Sequence, residues 1–258
     1  MVAVPAHRRG LTALATRETH RVLKLWLQTI AAPVLASFLF IVVFGLSLGE
    51  RIDSVDGIPY DAYIVPGLIA MAMVQAAYSN NASSVFQARF EHYINDVLAA
   101  PLRAWEVNLG LTIGGVVRAL AIGAALVVAS LLVTPVGIAQ PLVLLAAVAL
   151  LCVLFGSLGV VVGIYAESFD HHMAVNSIAI LPLAFLGGVF YSVESLPSPW
   201  EELSHLNPIF YLVQAMRFGF LGSADVPVAL SLGVTAALAV LVVAWSARLF
   251  STGRRLKA

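Results

Sequence analysis

Charge is what this sequence has least of. Asp, Glu, Lys and Arg make up 11% of its 258 residues, where a soluble domain carries about a quarter. So few charges cannot cover a fold in water. With 60% of residues hydrophobic and a mean hydropathy of +0.95, the expected solvent is largely lipid. Lysine is almost missing: Lys24 and Lys257 both follow leucine, and a P-loop needs Gly-Lys, so that motif cannot hold ATP here. Cysteine occurs once, as Cys152 inside an apolar run, which excludes a disulfide or cysteine metal cluster within one chain. Net charge is absent too, with fourteen basic against fourteen acidic residues, and this argues against a nucleic-acid partner held on a basic surface.

Catalytic patterns are also missing. There is no HExxH and no pair of aspartates within an apolar run, so no catalytic residue is assigned. His171 and His172 stand near Glu167 and Asp170, but adjacent helix positions point about 100° apart. They read as solvated residues of a short turn, and no metal site is assigned. Every one of the fourteen carboxylates, Glu18 and Glu50 through Asp225, falls in a flank or loop. A proton- or sodium-coupled carrier usually buries such a group at mid-depth, so energy must come from elsewhere or the protein is passive. The same lack argues against small cationic substrates held by ion pairing.

What is present is a series of apolar runs. A spanning helix needs about 20 mostly apolar residues, and runs of that kind cover 29–49, 60–84, 111–133, 141–165, 173–192 and 226–248. We therefore predict an all-α polytopic membrane protein, one domain over 1–258, with no short repeat and no linker. Basic residues in short flanks set orientation. With the N-terminus inside, the cytoplasmic side collects Arg8, Arg9, Arg17, Arg21, Lys24, Arg89, Arg103, Arg248, Arg254, Arg255 and Lys257. Only Arg51 and Arg217 fall outside. Both termini are expected in the cytoplasm. Residues 1–28 show no compact apolar core before a small-residue cleavage site, so no cleaved signal is expected.

The stretch 11–28 differs from the spans. Leu11, Leu14, Ala15, Val22, Leu25 and Trp26 lie near one face at helical spacing, with Arg17, Glu18, Arg21 and Lys24 on the other. This predicts a helix lying in the cytoplasmic membrane interface, its basic face toward lipid headgroups. Arg118 is the one charge inside an apolar run. It reads either as a site for an anionic substrate group, or as a residue that snorkels to the cytoplasmic interface because the third span begins late. The length of the stretch after it fits the second reading. The polar tract 87–108 is predicted to be helix-prone and cytoplasmic. The loop 193–225 carries Leu196, Trp200, Leu203, Leu206, Ile209, Phe210, Tyr211, Val213 and Met216, an apolar face too large for a free loop. Pro197, Pro199 and Pro208 would break any helices it forms.

Three features resemble one family. They are INDVLAAPLRAWEVNLG at 94–110, LPLAFLGGVFYSVESLPSPWEELSHLNPIFYLVQAMRFGFLG at 181–222, and the layout of one amphipathic helix before six spans. Together they are similar to the ABC-2 type permeases, membrane subunits of ATP-driven exporters of drugs, lipids and polysaccharides. The resemblance implies export of a lipid, glycan or drug-like amphiphile from the cell's inner membrane, and re-entrant or interfacial helices over 193–225, an outer-side re-entrant helical hairpin. It implies no cofactor in this chain, with ATP and Mg on a separate ABC ATPase subunit present in two copies. It also implies that 87–108 is a coupling segment seated on that ATPase, with Arg89, Glu91, Asp96, Pro101, Leu102, Arg103 and Glu106 at the contact. A homodimer or a sister permease is expected, with Pro182, Gly187 and Gly188 allowing close approach in span five. Gln75, Tyr78, Asn80, Asn81, Arg118, Asn176, Phe190 and Tyr191 are the path candidates. The alternative is an ATP-independent channel or membrane-assembly protein.

Overall fold

Six helices of the computed structural model are long and apolar enough to cross a bilayer: Leu27–Gly49, Tyr60–Phe90, Ala104–Ser130, Pro141–Tyr165, Phe169–Leu186 and Val228–Thr252. The structure describes residues 6–49, 51–253 and 255–256, with side chains from residue 9 onward. The Arg8 side chain, Glu50, Arg254 and Lys257, all counted in the charge reading above, lie outside the described residues. The chain is an all-α polytopic membrane protein.

Helix α1, Ala6–Lys24, leads through a π-helical turn at Leu27–Ala31 into α2, Ala32–Gly49. A two-residue hairpin pairs β1, Ser54–Val55, with β2, Ile58–Pro59. Its turn is Asp56-Gly57, both at positive φ, as a tight primed turn requires. The hairpin feeds α3, Tyr60–Phe90, whose 31 residues span about 46 Å at 1.5 Å per residue. A short α4, Ile94–Ala99, precedes α5, Ala104–Ser130, and α6, Pro141–Tyr165. The fifth span is composite: α7, Phe169–Val175, a second π-helical turn at Asn176–Ile180, and α8, Leu181–Leu186. Then come α9, Trp200–His205, α10, Pro208–Leu221, and α11, Val228–Thr252.

The centre of the fold is α3, buried on nearly all sides between α5 and α6. Lipid tails give apolar helices no reason to prefer one another, so close packing and internal polar bonds must hold such a bundle. Both are present. A Cβ on Gly159 of α6 would collide with the Tyr78 carbonyl of α3, and one on Gly114 of α5 would lie 2.9 Å from Asn80 Nδ2. Asn81 of α3, fully buried, donates to the Gly156 carbonyl of α6 at 3.0 Å and accepts from Gly115 N of α5 at 3.1 Å. Asn108 of α5 ties in α11 by accepting from Ser246 at 2.6 Å, and donates to Ser157 of α6 at 3.3 Å.

One face of the bundle carries α1 and the end of α11. Leu14 of α1, Ile94 and Val97 of α4, Leu249 and Phe250 of α11, and Leu256 share one apolar cluster there. We call this the terminal face; the hairpin and the end of α10, whose Phe220 carbonyl accepts from Ala139 N just before α6, lie at the opposite face.

Several expectations change. The third span starts at Ala104, not near 111, because Glu106 closes its first turn by accepting from Arg103 N at 2.7 Å. The fifth span ends at Leu186, not near 192: Gly187 caps it and Gly188 sits at φ 74°. That glycine pair therefore stops the helix rather than lining a long helix contact. The apolar face of α1 is also different. Leu14, Glu18 and Val22 face inward, whereas Leu25 and Trp26 are exposed. The loop after span five divides by burial. Ile209, Phe210, Val213 and Met216 of α10 are buried, while Trp200, Leu203 and Leu206 on and after α9 are exposed. At 14 residues α10 is too short to cross, and Pro208 starts it at the first helical position, where a missing N–H costs nothing.

Candidate functional site

Two arrangements carry chemistry, one at the terminal face and one inside the bundle. At the terminal face the tract 87–108 is not a single helix. It comprises the last turn of α3, the reversal at Glu91-His92 with His92 at φ 63°, α4, an extended link, and the first turns of α5. Ile94 and Val97 bury one side of α4, leaving Asp96 exposed on the other. Glu91, Asp96, Pro101 and Arg103 face solvent, and Leu102 is half-buried beside Gly10 of α1. Two of the expected contact residues turn inward. Glu106 is buried in its capping role. Arg89 donates to the carbonyls of Gly163 and Ala166 at 3.2 and 3.0 Å, closing the end of α6.

Helix α1 is bolted to this tract and to α3. The Glu18 side chain is 1% exposed, and a carboxylate so placed needs a full set of donors. Ser84 of α3 supplies one at 2.7 Å, Arg17 a second at 2.7 Å and Arg21 a third at 3.2 Å. Arg21 also reaches the Asn80 carbonyl at 2.9 Å. The Arg17 guanidinium lies 4.9 Å from the centre of the Tyr93 ring, while burial pushes the Tyr93 phenol up from its ordinary pKa. Sequence reasoning placed Glu18 and both arginines on a lipid-headgroup face. No local signal marks the exception, because Ser84 lies 66 residues away.

Between α2, α3, α5 and the composite fifth span lies a half-open cavity of about 640 Å³, with Ala36, Phe40 and Phe169 exposed on its rim. That is an ordinary volume for a small-molecule site. Among the path candidates it brings together Gln75, Arg118 and Asn176. Arg118 follows Ala104 by 14 residues, about 21 Å of helix, so it sits mid-span and does not snorkel from a late start. Its guanidinium donates to the Thr29 carbonyl at 2.8 Å and to Ser79 Oγ at 3.3 Å. Thr29 belongs to the first π-helical turn, and Asn176 opens the second.

The remaining candidates stand elsewhere. Tyr78 is fully buried and donates to the His172 carbonyl at 3.0 Å, behind the cavity wall. Asn80 and Asn81 belong to the helix-packing layer. Phe190 stacks on Phe185 and lies tilted against Phe44, and Tyr191 donates to the Phe185 carbonyl at 3.2 Å, beyond the end of α8. His172 is a correction: it is 1% exposed, set against Phe169 and Phe86, and it lines the cavity. Its apolar neighbours Phe86 and Phe169 account for the burial that a turn reading missed. A second buried cation, Arg217 of α10, was read as an outer-flank residue. It is 1% exposed, donates to the Gly188 carbonyl at 2.6 Å and lies 3.9 Å over the Tyr63 ring.

Residues 9–221 match the family model described as ABC-2 type transporter. The chain is 38% identical over 250 residues to "Inner membrane transport permease YadH" of Escherichia coli (strain K12), covering 96% of this chain and 97% of that one. It is 28% identical over 219 residues to "Nodulation protein J" of Sinorhizobium fredii (strain NBRC 101917 / NGR234), covering 83% and 81% of the two chains. To "Nodulation protein J" of Rhizobium meliloti (strain 1021) it is 23% identical over 242 residues, covering 93% and 92%.

Proposed function

The chain belongs to the ABC-2 type transporter family, and from that premise we propose that it is the permease subunit of an exporter powered by a separate ABC ATPase. The observation that carries this is the construction of the terminal face. Glu91, Asp96, Pro101 and Arg103 are exposed on a short segment anchored by Ile94 and Val97. The same segment continues directly from α3, the helix at the centre of the bundle. A partner that moves α4 therefore moves α3, and α3 forms one wall of the cavity. ATP and Mg bind the partner, in two copies, and this chain provides the path for a lipid, glycan or drug-like amphiphile.

The terminal face is the cytoplasmic one, as the surplus of basic residues in its flanks supports. The membrane is the inner membrane, as the relative's name supports. Two copies, or one copy and a sister permease, complete the path. The exposed apolar faces of α2 and of the fifth span, Leu35, Leu39, Phe40 and Ile178 among them, flank the cavity and support that pairing.

The test is a tagged pull-down from mild detergent followed by an ATPase assay. A P-loop ATPase should copurify stoichiometrically and be lost when 91–103 is replaced by a Gly-Ser linker. Recovery of this chain alone, without ATPase activity, would sink the proposal in favour of an ATP-independent channel.

A further inference from the structure

We propose that the cavity takes an amphiphile with one acidic headgroup and an apolar chain, the headgroup held at Arg118 and the chain directed toward the opposite face. The inference rests on the permease reading and names its substrate class.

Arg118 is a cation without a counter-charge. Among the described residues its guanidinium meets no carboxylate within 4.0 Å, since the ion pairs formed all belong to Glu18. Two bonds, one to a carbonyl and one to a hydroxyl, leave other donors of its five unused. A charge in an apolar bundle is costly unless an opposite charge is supplied. Two further polar atoms at the cavity wall are orphaned: His172 Nδ1 and Asn176 Oδ1 are buried without a hydrogen-bond partner. Buried polar atoms are nearly always satisfied; a protonated His172 Nδ1 can donate to an acidic headgroup, and Asn176 Oδ1, an acceptor, can take the O–H of a singly protonated phosphate. A second cation is close: Ser83, one turn beyond Ser79 on α3, accepts from Arg21 at 3.4 Å and lines the same cavity.

The walls add a direction. On α3 the cavity runs from Leu68 and Met71 to Ser79 and Ser83, about 22 Å of helix, apolar first and polar last. The other two walls repeat this order. Gln28, just before α2, precedes Phe40, and on the fifth span His172 and Asn176, interleaved with Phe169 and Met173, precede Leu181 and Phe185. Three elements thus place polar groups nearer the terminal face and apolar groups nearer the opposite face, with Arg118 at mid-span. An amphiphile whose headgroup lies on the terminal-face side and whose chain runs toward the opposite face has that polarity.

The full chain in lipid nanodiscs would be titrated with dodecyl phosphate, dodecyltrimethylammonium, dodecyl maltoside and butyl phosphate. Dodecyl phosphate should bind about tenfold or more tighter than the cationic and neutral dodecyl probes, the size of a charge-assisted bond. The preference should vanish in Arg118→Gln and survive in Arg118→Lys. Ala36→Trp, at an exposed position of the wall, should block the chain and remove binding with the arginine intact; it decides the matter if Arg118→Gln does not fold. Equal binding of all dodecyl probes, or a preference unchanged in Arg118→Gln, would overturn the proposal. Butyl phosphate binding as tightly as dodecyl phosphate would overturn it in favour of a free anion. The assay contains no ATPase, so its failure beside intact ATPase copurification rejects the substrate class and leaves the permease reading standing.

Discussion

A carboxylate sealed beneath a helix, as Glu18 is, persists because its acceptors are all used. Ser84, Arg17 and Arg21 each donate to it, yet the arginines are 41% and 26% exposed. Their share is therefore screened by water, and the buried Ser84 bond is the part that counts. Glu18→Ala should release α1 at the low end of the 1–3 kcal/mol that an orphaned buried group costs. Cleavage that follows the open population would then rise about fivefold. Limited trypsinolysis after Arg17, Arg21 and Lys24 reads this directly, and an unchanged rate would show that α1 is held by Leu14 and Val22 alone. Glu18 also shows where reading residues by charge stops. Helical spacing places 14, 18 and 22 on one face whatever their chemistry, but only a donor from α3 makes a carboxylate acceptable there. Arg217 escaped for the same reason, since Tyr63 and the Gly188 carbonyl that accommodate it are remote in sequence. Arg118, by contrast, was legible as the single charge inside an apolar run.

For helices, hydropathy located all six spans because twenty-odd apolar residues have few alternatives. It misplaced the ends where other forces act. Glu106 caps α5, which starts seven residues before the apolar run, and Gly187-Gly188 stop α8 within one. The two π-helical turns were invisible, since the extra residue in each changes register and not composition. Packing between helices was partly legible in small residues, but not which ones matter. Gly159 and Gly233 look alike in sequence; a Cβ on the first meets the Tyr78 carbonyl, and on the second meets nothing within 4 Å. Gly159→Val should separate α6 from α3 at about 1–3 kcal/mol or more. Gly233→Ala, on α11, should stabilise by about 0.5–1 kcal/mol through helix propensity. Thermal unfolding followed by size-exclusion chromatography in detergent should move in opposite directions for the two. A loss of similar size in both would mean that α11 packs more tightly than its open surroundings imply.

Taken whole, the molecule has a sidedness that its parts agree on. Six candidate spans leave α1, α4 and the end of α11 at one face, where they share an apolar cluster. On the proposed reading that face meets the cytoplasm: the basic flanks favour it, the charged segment around α4 would meet the ATPase there, and the polar end of the cavity would lie on its side. Each reading uses different residues, so a single topology experiment bears on all three. In a Cys152→Ala background, which removes the one buried thiol, cysteines would be placed at Asn95 on α4 and at Ser223 after α10, both exposed. A membrane-impermeant maleimide applied to intact cells should label Ser223→Cys and spare Asn95→Cys until the membrane is opened. The reverse pattern would turn the headgroup end of the cavity outward and leave no route from α4 to a cytoplasmic ATPase. Labelling of both sites in intact cells would break the six-span count, because α4 and the α10 turn could not then stand on opposite sides of one bilayer.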